Sequence, residues 1–198
     1  MTQGNKPPLI LASASPRREE LLQLLSIPFE TIPSRIEEIF FEGELPEEHV
    51  MRLARAKAEE VAGQYPGRWV LAADTVVEID GRILGKPKDQ REAEEMLRML
   101  SQREHRVLTG YYIMNSSSSP KKGGKVTTRV KFKALSAGEI RWYVGTGEPF
   151  DKAGGYAIQE RAAFMVEEIS GSYTNVVGLP LGEVVEALQE LGAVDLFP

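Results

Sequence analysis

The sequence predicts a mixed α/β fold, a twisted sheet flanked by helices, and three observations carry that expectation. Short runs rich in Val, Ile and Leu alternate with amphipathic stretches that open on helix-start signals. Two turn dipeptides, Asp80-Gly81 and Gly171-Ser172, stand between apolar runs and predict hairpins, which rule out a purely parallel sheet. The 198 residues contain no internal repeat and suit one domain over 1–198, or two small lobes sharing a cleft.

Leu9-Ile10-Leu11-Ala12 is an apolar strand that runs into Ser15-Pro16, a favoured N-cap followed by a residue suited to the first helical position. The helix continues from Pro16 to Leu25, with Leu21, Leu22, Leu24 and Leu25 as its apolar face, and Ile27 to Ile32 predicts a second strand. Pro46, with Glu47 and Glu48 in the first turn, opens a helix to about Ala62. Val70 to Ile79 and Arg82 to Leu84 flank the Asp80-Gly81 turn. Asp89 to Glu92 has capping-box spacing for a helix through Leu100, and Ser136 to Glu139 repeats it before Ile140 to Val144. Between them lie strands Val107 to Met114 and Val126 to Ala134, joined by a Ser/Pro/Lys/Gly loop over Asn115 to Lys125 that predicts mobility. Phe164 to Ile169 and Tyr173 to Val177 predict a hairpin, and a last helix runs from about Gly182 to Leu191.

Composition narrows the chemistry. There is no cysteine, so disulfides, thiolate ligands and cysteine nucleophiles are excluded. Of the two histidines, His49 and His105, neither lies in a recognisable catalytic setting, which turns any hydrolytic chemistry towards carboxylates and a metal. A net charge of −5 with dispersed basic residues does not favour nucleic-acid binding. No run approaches the roughly 18 apolar residues of a membrane span, and the stretch from Met1 to Lys6 lacks an apolar core, so the expectation is a soluble cytoplasmic protein without a membrane partner.

Ser13-Ala14-Ser15-Pro16-Arg17-Arg18 puts two arginines on the first turn of a helix, where free backbone N–H groups and the positive dipole end attract phosphate. The plain alternative is a strand-to-helix turn with solvated arginines. Asp74 lies inside an apolar strand, where an unpaired carboxylate costs roughly several kcal/mol. It therefore either faces solvent at a strand end or is stabilised by a cation, a lysine or backbone donors, as a metal ligand or general base would be. Lys57 falls in the middle of the stripe Val50, Leu53, Ala54, Val61 and either snorkels past the helix edge or carries its ammonium to a phosphate. Lys86 follows the Asp80-Gly81 hairpin and is placed to share a rim with Asp74, or is solvated. Glu37 and Glu38 offer an oxygen ligand to a hard cation, or form an acidic turn. In Asp151-Lys152-Ala153-Gly154-Gly155-Tyr156-Ala157-Ile158-Gln159, glycines permit close backbone approach to a ligand and Gln159 can pair with a base edge, although a plain turn explains the segment nearly as well. Lys121-Lys122-Gly123-Gly124-Lys125 lacks the Walker order and reads as a solvated loop.

Five of these segments, Ser13 to Arg18, Ala73-Asp74-Thr75-Val76-Val77, Gly85-Lys86-Pro87, Asp151 to Gly154 and Val177-Gly178-Leu179-Pro180, resemble in order and spacing the motif series of the Maf family of nucleotide pyrophosphatases, over nearly the whole chain. The resemblance implies one Maf-like domain, related in fold to the inosine triphosphate pyrophosphatases, with two lobes around a nucleotide cleft. It also implies hydrolysis of a nucleoside triphosphate to monophosphate and pyrophosphate with a divalent Mg or Mn cation. By resemblance, Asp74 is the proton acceptor, Ser13, Arg17, Arg18, Lys57 and Lys86 bind phosphate, and Glu38 belongs with Asp74 to the metal site. Arg17, Thr75 and Gln159 resemble the branch acting on dTTP and UTP rather than on 7-methylguanosine triphosphate. The chain departs from the family where Ala157-Ile158-Gln159-Glu160 replaces Gly-Ile-Gln-Gly, adding bulk and negative charge beside Gln159, and in a longer loop over 115–125. The rival reading is a non-catalytic regulator of cell division that binds a nucleotide or a partner. A homodimer is open on either reading.

Overall fold

The computed structural model describes residues 6–118 and 120–196. Seven strands pair in the order β2-β1-β3-β5-β6-β7, with β4 on β3. They are β1 (Leu9–Leu11), β2 (Phe29–Thr31), β3 (Trp69–Ile79), β4 (Arg82–Leu84), β5 (Glu104–Asn115), β6 (Lys122–Phe132) and β7 (Val166–Ser170). The helices are α1 (Pro16–Gln23), α2 (Pro46–Gln64), α3 (Gln90–Leu100), α4 (Ala137–Gly145), α5 (Tyr173–Val177) and α6 (Leu181–Glu190). The sheet is mixed, as the hairpin signals predict: β1 runs parallel to both β2 and β3, while β4 is antiparallel to β3 and β7 to β6. Among the described residues no helix is long and apolar enough to cross a membrane.

The chain divides into two compact units, Met1–Asp74 with Gly110–Lys125 and Gly178–Pro198, and Thr75–Thr109 with Val126–Val177. In the first unit β1 is buried along its whole length, as expected of a parallel strand with neighbours on both sides. Ile10, Ala12, Val70 and Ala72 pack against Ala58, Val61 and Ala62 of α2, with Met114 alongside. Gly110 fixes how closely α2 approaches β5, because a Cβ there would lie 2.5 Å from the Val50 carbonyl oxygen and 2.9 Å from the Met51 nitrogen, both backbone atoms. In the second unit His105, Phe132 and Tyr156 form an edge-to-face cluster, and His105 Nε2 lies 2.7 Å from the Tyr156 hydroxyl. Asp89 caps α3 by accepting from Glu92 N at 2.8 Å, while Glu92 reaches back to Lys88 N rather than to the cap. Ser136 and Glu139 form the full reciprocal box.

Two local expectations fail for identifiable reasons. The loop predicted over Asn115 to Lys125 is shorter, because β6 begins at Lys122; residue 119 of that segment lies outside the described residues. Gly123 and Gly124 are strand residues, not loop residues. A Cβ on Gly123 would come within 2.5 Å of the Tyr112 ring and one on Gly124 within 2.6 Å of the Tyr111 hydroxyl, so close packing selects glycine there. Tyr173 to Val177 is a helix, not the return strand of a hairpin. Ser172 Oγ accepts from Asn175 N at 3.2 Å, an N-cap bond, and the buried Asn175 amide donates to Val107 O and Thr128 Oγ1, both at 3.0 Å.

Candidate functional site

The strand-to-helix corner after β1 forms as the sequence suggests, with a different hydroxyl at its centre. Ser15 takes the N-cap position in an extended conformation, but its side chain makes no capping bond. Buried Ser13 supplies the organising oxygen: its Oγ accepts from Ser15 N and from Arg18 Nη1, each at 3.2 Å. Arg18 Nε donates to Gly178 O at 2.7 Å, so one guanidinium joins the first motif of the chain to the last. Desolvation lowers the Arg18 pKa from its ordinary value, opposed by the negative charges of Asp74 and Glu38 and aided by Arg17. Arg17, half-buried, sits one position earlier on the same first turn.

Asp74 does not face solvent. It lies within β3, 4% exposed, and Lys57 of α2 donates to its Oδ1 at 2.6 Å. The same ammonium donates to Glu38 Oε1 at 2.7 Å. Lys57 therefore neither snorkels nor stands alone. Its stem crosses the apolar layer between α2 and β3, and its head joins two carboxylates that are distant in sequence. The two partners differ in environment, since the Asp74 side chain is 6% exposed and that of Glu38 is 43% exposed.

Around this trio the first unit assembles groups that sequence reasoning missed. Glu44 receives Arg52 Nε at 2.5 Å on one oxygen and Arg52 Nη2 at 2.8 Å on the other. These bonds, supplemented by His49, hold the Glu44 carboxyl at about 2 against the opposing effect of burial. His49 Nδ1 lies 2.8 Å from Glu44 Oε2, the ring stacks on Phe40 with centroids 4.2 Å apart, and Nε2 faces Asp74 Oδ2 at 3.9 Å. His49 is thus placed beside Asp74, a position that its sequence setting does not show. The spacing alone was legible: His49, Leu53 and Lys57 recur at i, i+4 and i+8, placing the histidine on the same buried stripe as the lysine.

The second unit holds the other candidates. Thr75 follows Asp74 in β3 and its Oγ1 lies 2.9 Å from Thr109 Oγ1. Lys86 is exposed in the irregular segment after β4, and Gln159 is exposed in a turn beside Glu160. Gly154, at φ 68°, serves a close approach within the protein: a Cβ there would lie 2.8 Å from Val77 Cγ2. That packing accounts for Gly154 without any ligand.

Among the described residues no group of three or more acidic or histidine side chains is placed to hold a metal. The pair Asp74 and Glu38 nevertheless fits a hard divalent ion. Both are oxygen donors that bond to one ammonium, and Mg²⁺ commonly takes one or two carboxylates with the rest of its shell from substrate phosphates and water.

Comparison with known proteins bears on the whole chain. A family described as Maf-like protein matches residues 8–191. A dTTP/UTP pyrophosphatase of Syntrophus aciditrophicus (strain SB) is 53% identical over 186 residues, 94% of this chain and 91% of that protein. Proteins of the same name from Geotalea uraniireducens (strain Rf4) and Clostridioides difficile (strain 630) are 53% and 47% identical, each over 96% of this chain and 98% and 97% of their own. The Ham1 protein of Staphylococcus aureus covers 94% of this chain and is wholly covered itself, at 14% identity and a TM-score of 0.49.

Proposed function

The chain belongs to the Maf family, and on that footing we propose that it is a nucleoside triphosphate pyrophosphatase that hydrolyses dTTP and UTP to the monophosphate and pyrophosphate. The observation that carries this reading is the buried ammonium of Lys57 shared by Asp74 and Glu38, with Arg18 anchored in the same unit. A polyanion brought to two carboxylates needs positive charge between them, and Arg17, Arg18 and Lys57 supply part of it. Lys86, Thr75 and Gln159 are assigned to phosphate and base recognition by the family resemblance. The enzyme's substrate is a free nucleotide.

Asp74 takes a proton from the attacking water as the bond to the α-phosphorus forms and the bond from that phosphorus to the departing pyrophosphate oxygen breaks. Arg17, Arg18 and Lys57 offset the charge that grows on the leaving group. A Mg²⁺ or Mn²⁺ ion held by Glu38, Asp74 and the phosphate oxygens would add charge neutralisation at the triphosphate. The Ser13 hydroxyl and the Gly178 carbonyl fix the Arg18 guanidinium at the start of α1.

The test is pyrophosphate release with Mg²⁺ or Mn²⁺ across dTTP, UTP, CTP, ATP, GTP and 7-methylguanosine triphosphate, with D74N alongside. Activity confined to dTTP and UTP, and reduced on the order of 10²–10⁴ in the variant, is expected. No activity on any nucleotide would overturn the reading in favour of a binding protein.

A further inference from the structure

His49 is buried to 1% exposure on the stripe of α2 that carries Lys57, and none of the roles assigned above uses it. Its orientation is fixed on three sides. Phe40 covers one ring face, nearly parallel at 6°, the helix fixes the backbone, and Glu44 holds Nδ1 at 2.8 Å. Glu44 is ionised and therefore accepts only, so Nδ1 must be the donor in that bond. The Arg52 Nη2 contact to the same nitrogen, at 3.3 Å, is the longer of the two and sets one donor against another. The tautomer with its proton on Nδ1 carries its lone pair on Nε2.

Nε2 faces Asp74 Oδ2 at 3.9 Å, beyond a direct hydrogen bond. The other Asp74 oxygen, Oδ1, is engaged by Lys57 at 2.6 Å, so Oδ2 is the oxygen left for chemistry. Two acceptors at this separation suit one water molecule. With ordinary bonds of about 2.8 Å to each, the angle at the water oxygen is about 90°, near the angle between its two hydrogens.

We propose that His49 is a further catalytic residue, whose Nε2 accepts one hydrogen of the attacking water while Asp74 Oδ2 accepts the other. This rests on the pyrophosphatase reading above. Asp74 takes the transferred proton and His49 takes none. The histidine holds the second O–H so that an oxygen lone pair points to the α-phosphorus. The Glu44 and Arg52 pair acts through His49 as a positioning device by fixing which nitrogen bears the proton.

The experiment compares H49F, H49N and H49Q in steady-state pyrophosphate release from dTTP, with thermal melting of each. Phenylalanine keeps the stack on Phe40 and removes both nitrogens; asparagine replaces Nδ1 alone; glutamine reaches the position of Nε2 with an amide oxygen. H49F and H49N are expected to lower kcat about tenfold or more with KM within about twofold, while H49Q recovers most of the rate. If H49F keeps kcat within about twofold, or if asparagine and glutamine lose rate equally and in proportion to lost melting temperature, His49 is structural only and the proposal falls. An inactive wild type overturns the pyrophosphatase reading and this inference with it, whereas an active wild type indifferent to H49F overturns this inference alone.

Discussion

Replacing Lys57 by Met tests the arrangement at its centre. Methionine keeps the length and apolar stem that cross the layer between α2 and β3, and deletes only the ammonium that Asp74 and Glu38 share. The two carboxylates should respond unequally. Asp74, with a side chain 6% exposed, is left as a buried unpaired charge, a change that typically costs about 3–5 kcal/mol. Glu38 is 43% exposed and water screens it, so its share of the loss is at most about 1 kcal/mol. A double-mutant cycle in urea separates the terms. Pairing K57M with D74N should return a coupling of about 2 kcal/mol or more, because the second change removes the orphaned charge, whereas pairing K57M with E38Q should return under about 1 kcal/mol. The readout is the urea midpoint, with the m-value checked for constancy across the set. Equal couplings for the two carboxylates, or a K57M protein as stable as the wild type, would refute the claim that Lys57 is chiefly the partner of a buried Asp74.

Three further outcomes follow from the same geometry. Burial holds His105 at about 4, against 6.5 when unfolded, so the unfolded chain binds a proton that the folded one refuses. Stability should therefore fall as pH drops from 6.5 towards 4, by up to about 3 kcal/mol, and H105F should flatten that slope in urea melts at stepped pH. G110A should destabilise the protein by about 1–3 kcal/mol and lower activity, since the added methyl meets the backbone of α2 and displaces the helix that carries Lys57; an unchanged melting temperature would contradict the close approach. R18K should raise KM for dTTP about tenfold with kcat less affected, because an ammonium lacks the planar fork that reaches Ser13 Oγ and Gly178 O together; an unchanged KM would remove Arg18 from substrate binding.

Legibility in the sequence tracked the range of the forces involved. The helix starts at Pro16, Pro46, Asp89 and Ser136 are set by one or two local residues, and α1 to α4 begin within a residue of those signals. The mixed sheet was equally legible, because alternation and turn chemistry are local too. The local chemistry of Gly123 and Gly124 signals a loop, while the tyrosine packing that selects glycine comes from another part of the chain. In Tyr173 to Val177 five residues are too few for a helical period to show, and Ser172, which caps the helix, carries the same local signal as a turn residue. In the candidate site, Asp74 and Lys57 were visible as charges in apolar patterns, yet nothing local revealed that they meet. Glu44 and Arg52 each look ordinary alone, and the helical spacing of His49 with Lys57 marks it as buried without revealing its partners. Only the folded loop before α2 brings Glu44 and Phe40 onto the histidine.

Whether Asp74 acts as base or only as metal ligand is decided by which kinetic parameter its loss changes. Lys57 engages Oδ1 and leaves Oδ2, the oxygen facing His49, for the reacting water. Glu38 is more exposed and lies on a loop, where its carboxylate is accessible to a hydrated ion. From this asymmetry, E38Q should raise the Mg²⁺ or Mn²⁺ concentration needed for half-maximal rate while kcat recovers at saturating metal. D74N should leave kcat depressed on the order of 10²–10⁴ however much metal is added. Titration of both variants with Mn²⁺ at saturating dTTP measures the difference directly. Recovery of D74N at high metal would make Asp74 a ligand alone, and the water would then need another base. Glu38, a carboxylate bonded to the same ammonium as Asp74, and His49, whose Nε2 faces Asp74 Oδ2 at 3.9 Å, would then be tested for the role in that order.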